Sequence, residues 1–106
     1  METITVEELK KRMDAGEVLH ILDVREPFEY AESNIGGKLI PIGQIQTMQI
    51  DEIEDWKEEE VIIHCRSGHR SMVACLFLET LGFKNTKNLV GGILAWEEKF
   101  GLPGKS

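Results

Sequence analysis

The chain has 106 residues, 42% of them apolar and 29% charged, and its 19 acidic and 12 basic side chains leave a net charge of −7. That length suits one compact domain spanning residues 1–106, with a core that needs neither disulfides nor metal to hold it. The acidic balance argues against a general nucleic-acid or membrane-surface role, because both need a basic face.

The N-terminal stretch METITVEELKKRMDAG meets acids early and has no apolar centre, so it does not read as a secretory signal. No run approaches the length of a membrane span. A cytoplasmic protein with reduced thiols is expected. Within that first stretch Thr5 and Glu8 form a capping box, and Val6, Leu9 and Met13 fall on one face of a short helix that Gly16 ends. Val18 to Val24 (VLHILDV) reads as a buried strand. Pro27 opens a short helix, PFEYAES, because proline suits a first helical turn. Gly36 and Gly37 break the chain, and KLIPI, residues 38–42, is a second strand. Ile50, Ile53 and Trp56 stand three apart and predict a helical turn or two. EEVIIHC, ending at Cys65, has the strongest strand pattern.

Met72 to Leu81 is apolar almost all round and predicts a buried helix stopped at Gly82. TKNLVGG holds a last strand. GILAWEEKFG is a last helix with Ile93, Trp96 and Phe100 on one face, ended by Gly101, Leu102 and Pro103. Trp96 reads as core, while Trp56 is placed partly exposed, near the mouth of the site. Strands alternating with helices imply crossover connections and a mainly parallel α/β sheet with helices on both faces. In such sheets the reactive site lies beyond the carboxyl ends of the strands. Cys65 sits at that end of the strongest strand.

The loop CRSGHRS, Cys65 to Ser71, carries the chemistry. A thiolate is the nucleophile, and a helix N-terminus or a nearby cation lowers a thiol's pKa. The helix starting near Arg70 or Ser71 directs free N–H groups back at the sulfur. Arg66 and Arg70 add positive charge. From Val61 to Leu78 there is no acidic residue in an otherwise acid-rich chain. Gly68 lets successive N–H groups converge into an anion-binding nest. The loop is therefore expected to bind an anion around a nucleophile. The bland alternative is a structural junction whose arginines face water. Cys75 lies in an apolar stretch and reads as core. His64, Cys65, His69 and Cys75 follow no usual ligand spacing, so no metal is expected.

At this point the sequence resembles the rhodanese family of sulfurtransferase domains. LDVREPFEY (Leu22 to Tyr30), CRSGHRS (Cys65 to Ser71) and LVGGILAW (Leu89 to Trp96) look like that family's three motifs, in order. The resemblance implies a central five-stranded, mainly parallel sheet. It also implies that Cys65 takes a sulfane sulfur from a small anionic donor such as thiosulfate, and yields it to a thiol or cyanide, or to a protein acceptor. Two displacements through a persulfide need no cofactor. Related phosphatases resemble C-x5-R, whereas Cys65 to Arg70 is C-x4-R. Substrate contacts are expected from Arg66, Ser67, Gly68, His69 and Arg70, with Arg70 in the most direct role. Asp23, Arg25 and Glu29 read as supports behind the loop, Ser71 as a helix cap, and His64 as satisfied inside the fold. At residues 33–37 the chain departs from the family pattern Gly-His-Ile-Pro-Gly. A persulfide carrier or sulfur-sensing module for a protein partner is the alternative from another functional class.

Overall fold

Thr5 and Glu8 cap each other as their spacing predicts: the Thr5 N–H donates to the Glu8 carboxylate at 3.2 Å, and the Glu8 N–H to the Thr5 hydroxyl at 3.1 Å. They follow a short β1 (Glu2–Ile4) and open α1 (Val6–Asp14), whose Val6 and Leu9 are buried. The computed structural model describes residues 1–101. After α1 come β2 (His20–Asp23), α2 (Pro27–Glu32), β3 (Lys38–Leu39), α3 (Ile42–Gln46) and a 3-10 segment (Asp51–Trp56). Then follow β4 (Glu60–His64), α4 (His69–Thr80), β5 (Asn85–Leu89) and α5 (Gly92–Phe100).

The strands form one sheet in the order β1-β5-β4-β2-β3, and every pairing is parallel. β1 is the strand that the element-by-element reading lacks. Three residues are too few to show a period of two, and their pairing with Lys87 to Leu89 is a long-range fact. The KLIPI strand is shorter than expected. Pro41 has no N–H to give a ladder, and the chain turns into α3, where the Ile42 N–H reaches the Val24 carbonyl at 3.0 Å. β2 is likewise trimmed to four residues, and Val18 lies in water.

The sheet divides two apolar layers, which gives the α/β sandwich expected from the alternation of elements. On one side Val61, Ile63 and Cys65 pack with α3, the 3-10 segment and α4 through Ile45, Ile53, Ala74, Cys75 and Leu78. On the other, Ile62 and Leu89 pack with Val6, Leu9 and Trp96 from α1 and α5. This alternation along β4 is the two-residue period of a strand buried on both faces. α4 is less buried than its sequence implies, since Met72 and Leu76 face outward. Trp96 is in the core as expected, with Phe100 against its edge. Gly101 follows α5; Leu102 and Pro103 lie outside the described residues.

From β2 the chain runs outward to β3, then returns past it to β4 and continues the other way to β5. Connections from the neighbouring strands β2 and β4 thus leave in opposite directions, which opens a crevice at their carboxyl ends. Cys65 follows β4, and Asp23 with Arg25 closes β2, so both meet at that crevice.

Candidate functional site

Gly68 adopts φ 110°, a left-handed conformation that a side chain disfavours, and stands immediately before the first turn of α4. This turn brings amides back over the cysteine. The Gly68 N–H lies 3.1 Å and the Ser71 N–H 3.3 Å from Cys65 Sγ. The Cys65 thiol donates to the Ser71 hydroxyl at 3.4 Å, and that hydroxyl donates to the Asn88 carboxamide oxygen. The Asn88 amide in turn donates to the Gly68 carbonyl at 3.2 Å. Cys65 itself is only 1% exposed.

The opposite side of the loop is held by α5. The Ile93 and Leu94 N–H groups donate to the Cys65 and Arg66 carbonyls, each at 3.0 Å. Carbonyls therefore face α5 while amides face the sulfur. This requires Gly92 to lie against the loop, and a Cβ there would stand 2.5 Å from the Cys65 carbonyl oxygen.

Burial pushes the Cys65 thiol up, but the Ser71 hydroxyl and the N–H groups of Ser71, Gly68 and Ser67 outweigh it, and the net shift is downward. Both arginines are expected from the sequence to share this work; the hydroxyl and amides lead it, and Arg70 interacts with Cys65 through its charge rather than by a hydrogen bond. Arg70 turns its planar fork to Glu29 on α2, with Nη1 and Nη2 donating to the two carboxylate oxygens at 2.7 and 2.9 Å. Arg66 is exposed and lines a cleft of about 390 Å³ with Arg25, Glu29, Glu32, Ser33, Ile93, Leu94 and Glu97. The absence of acids along the loop's own sequence is thus reversed in space, where three glutamates approach it from α2 and α5.

Asp23 is fully buried, and Arg25, nearly so, reaches the cleft at its edge. Arg25 donates from Nε and Nη2 to the Asp23 carboxylate, closest at 2.8 Å, and from Nη2 to the Ser33 carbonyl at 2.8 Å. The pair ties the end of β2 to the C-terminal end of α2, which carries Glu29. The 33–37 segment, despite its departure from the family pattern, contributes Ser33 to the cleft.

Three sequence expectations need correction. Ser71 is not the cap of α4, since Gly68 holds that position and Ser71 is buried one turn in, against the sulfur. His64 is buried but not satisfied: neither ring nitrogen has a hydrogen-bond partner, and Asp23 Oδ2 stands 3.6 Å from Nε2. Its desolvation lowers the imidazole pKa and favours the neutral ring. Trp56 stacks on His20 with ring centroids 4.4 Å apart, at the amino ends of the strands and away from the mouth. Ser67 and His69 are exposed and make no side-chain hydrogen bond among the described residues. Asn88 is a site residue that the sequence reading lacks. Its one signal is a carboxamide in a buried strand, where asparagine is disfavoured.

A pH dependence follows. Alkylation of the wild-type protein is expected to rise with pH at a midpoint below the roughly 8.5 of a free thiol. Ser71→Ala, which removes the hydroxyl that helps lower the thiol, should move that midpoint upward. Burial holds the Cys75 thiol up at about 12, so the signal belongs to Cys65. A wild-type midpoint at the free-thiol value would reject the acidifying cradle.

Comparison with known proteins supplies relatives. The family model described as "Rhodanese-like domain" matches residues 5–99. A sulfurtransferase of Allochromatium vinosum is 37% identical over 100 residues, covering 94% of this chain and 91% of that protein. The Bacillus subtilis protein YrkF, provisionally named a sulfur carrier protein, is 37% identical over 97 residues, and the match spans 51% of its length. The crystal structure of a rhodanese-like domain protein from Staphylococcus aureus superposes with a TM-score of 0.83 at 34% identity, covering 100% of both chains.

Proposed function

The chain belongs to the rhodanese-like domain family, and from that membership we propose that it transfers a sulfane sulfur through a persulfide on Cys65. The Cys65 thiolate attacks the outer sulfur of a donor such as thiosulfate. A new S–S bond forms, the donor's S–S bond breaks, and its electron pair leaves on sulfite. An acceptor thiolate or cyanide then attacks the outer sulfur of the persulfide and returns Cys65 as thiolate. Electrons balance in each displacement.

The observation that carries this reading is the pair of amides, from Gly68 and Ser71, at 3.1 and 3.3 Å from Sγ. They stabilise the thiolate before transfer, and the same donors are placed to serve the charge on the persulfide afterwards. The near-complete burial of Cys65 favours a donor that presents a single terminal atom. Arg66, exposed on the cleft, attracts the anion. Arg70 and Glu29 join α4 to α2 and hold the loop in shape, with Asp23 and Arg25 beneath them.

A second reading has one specific support, the relative named a sulfur carrier protein. In that reading the same persulfide passes to a protein acceptor.

The test is intact mass after thiosulfate treatment, followed by peptide mapping. One added sulfur on Cys65, discharged by cyanide or a small thiol, is the expected result. Discharge only by a protein thiol would favour the carrier reading. No added mass from thiosulfate or from an organic thiosulfonate, or mass on Cys75, would reject both. Hydrolysis of an aryl phosphate faster than sulfur transfer would instead favour phosphatase chemistry.

A further inference from the structure

The arginine that closes the loop is already occupied. Arg70 commits both terminal nitrogens to Glu29 in a two-pronged pair at 2.7 and 2.9 Å. A planar guanidinium bound in this way has its best carboxylate-matching edge filled. Glu29 is itself fixed, because its Oε1 also accepts the Glu26 N–H at 3.0 Å. The hydrogen bonds from Arg70, against the cost of burial, hold the Glu29 carboxyl down at about 2, so it stays ionised at any ordinary working pH. The cation and the anion therefore cancel at all such pH values. Arg25, a cation that lines the cleft, is neutralised in the same manner by Asp23. Among the described residues lining the cleft, Arg66 remains as the exposed cation, facing Glu32 and Glu97.

The fork of Arg70 is thus committed to Glu29 rather than open to a donor. We infer that Glu29 is a specificity-determining residue: by withholding Arg70 from the donor, it biases the Cys65 loop against dianionic sulfur donors and toward donors with a single negative charge. The inference rests on the persulfide reading above and names the donor class it prefers. Glu29 acts through Arg70 and is a positioning residue in this sense.

Two donors separate charge from chemistry. Thiosulfate is a dianion and leaves as sulfite. An organic thiosulfonate, such as benzenethiosulfonate, is a monoanion and leaves as sulfinate. In each case the Cys65 thiolate takes the terminal sulfur, the donor's S–S bond breaks, and its electron pair stays on the leaving group. The quantity to read is the ratio of kcat/KM for thiosulfate to that for benzenethiosulfonate, which loop loosening alone does not change in a charge-dependent way.

Glu29→Gln keeps the size of the side chain and an oxygen for the Glu26 N–H, but frees the charge of Arg70. It should raise the ratio on the order of tenfold, the effect of one uncompensated charge near the added charge of the dianion. The double variant Glu29→Gln/Arg70→Gln replaces a neutral pair by a neutral pair, and should return the ratio to within about twofold of wild type. If Arg70 clamped the dianion directly, the double variant would lower the ratio well below wild type. That result, or an unchanged or lower ratio in Glu29→Gln, would overturn the inference. Should Glu29→Gln fail to fold, Glu29→Ala takes its place with the same expectation, a ratio raised on the order of tenfold, and an unchanged ratio there overturns the inference. Wild-type protein that takes sulfur from neither donor would sink the persulfide reading and this inference with it, whereas loading of Cys65 with an unresponsive ratio would sink only the latter.

Discussion

Cys65→Ser is expected to abolish sulfur transfer from every donor, a loss on the order of 10³-fold or more. Serine preserves the shape of the loop and can accept the Gly68 and Ser71 amides. Its hydroxyl, however, is not ionised near neutrality, and oxygen cannot form the S–S bond on which the two displacements depend. The variant should fold, because one buried sulfur is exchanged for a slightly smaller atom with donors already around it. Cys75→Ser is the matched control. Cys75 is one turn beyond Ser71 on the same helix, yet burial holds its thiol up at about 12 and keeps it protonated. That variant should retain turnover and lose about 1–2 kcal/mol of stability, the cost of a hydroxyl in an apolar layer. Steady-state transfer to cyanide and urea unfolding of the two proteins check the pair. Residual transfer above about a tenth of wild type in Cys65→Ser would place the nucleophile elsewhere.

Gly92→Ala carries the second large effect, at a residue that takes no part in the chemistry. Gly92 has φ 58°, and a Cβ there would meet the Cys65 and Arg66 carbonyl oxygens at 2.5 and 2.6 Å. Those oxygens are held by the first amides of α5, so they cannot yield without breaking the hydrogen bonds to Ile93 and Leu94. Backbone strain adds about 1–2 kcal/mol to the steric cost. A destabilisation of at least about 2 kcal/mol is expected, with a fall in Tm of roughly 10 °C. Turnover should drop further than stability, because displacing the carbonyls swings the opposing amides away from Sγ. The Cys65 alkylation midpoint should accordingly climb toward that of a free thiol. Gly43→Ala is the control, since a Cβ added at Gly43 would meet no heavy atom within 4 Å beyond its chain neighbours and its own helix backbone. Equal behaviour of the two alanine variants would refute the proposed packing of α5 on the loop.

Much of the fold was legible in local pattern. The Thr5–Glu8 spacing announced α1, Pro27 announced α2, and the apolar run before Cys65 announced β4, because each depends on interactions within a few residues. β1 and the truncation of β3 were not legible in the same way. A three-residue edge strand exists only because β5 offers it a partner, and Pro41 ends pairing where residue type alone suggested continuation.

The same division runs through the candidate site. Sequence alone singled out Cys65 as the proposed nucleophile, the glycine that bends the loop, and the helix that follows, since these are neighbours along the chain. Only the tertiary structure decided what surrounds them. It set Asn88 behind Ser71, the amides of α5 against the loop carbonyls, and Glu29 across the fork of Arg70. Electrostatics is the reason. A charge's effect depends on its distance from other charges in space, and residues 29 and 70 are 41 positions apart in the chain but in contact in the fold. A loop that reads as a concentrated positive charge becomes, once folded, a cradle of backbone amides with one of its two arginines neutralised.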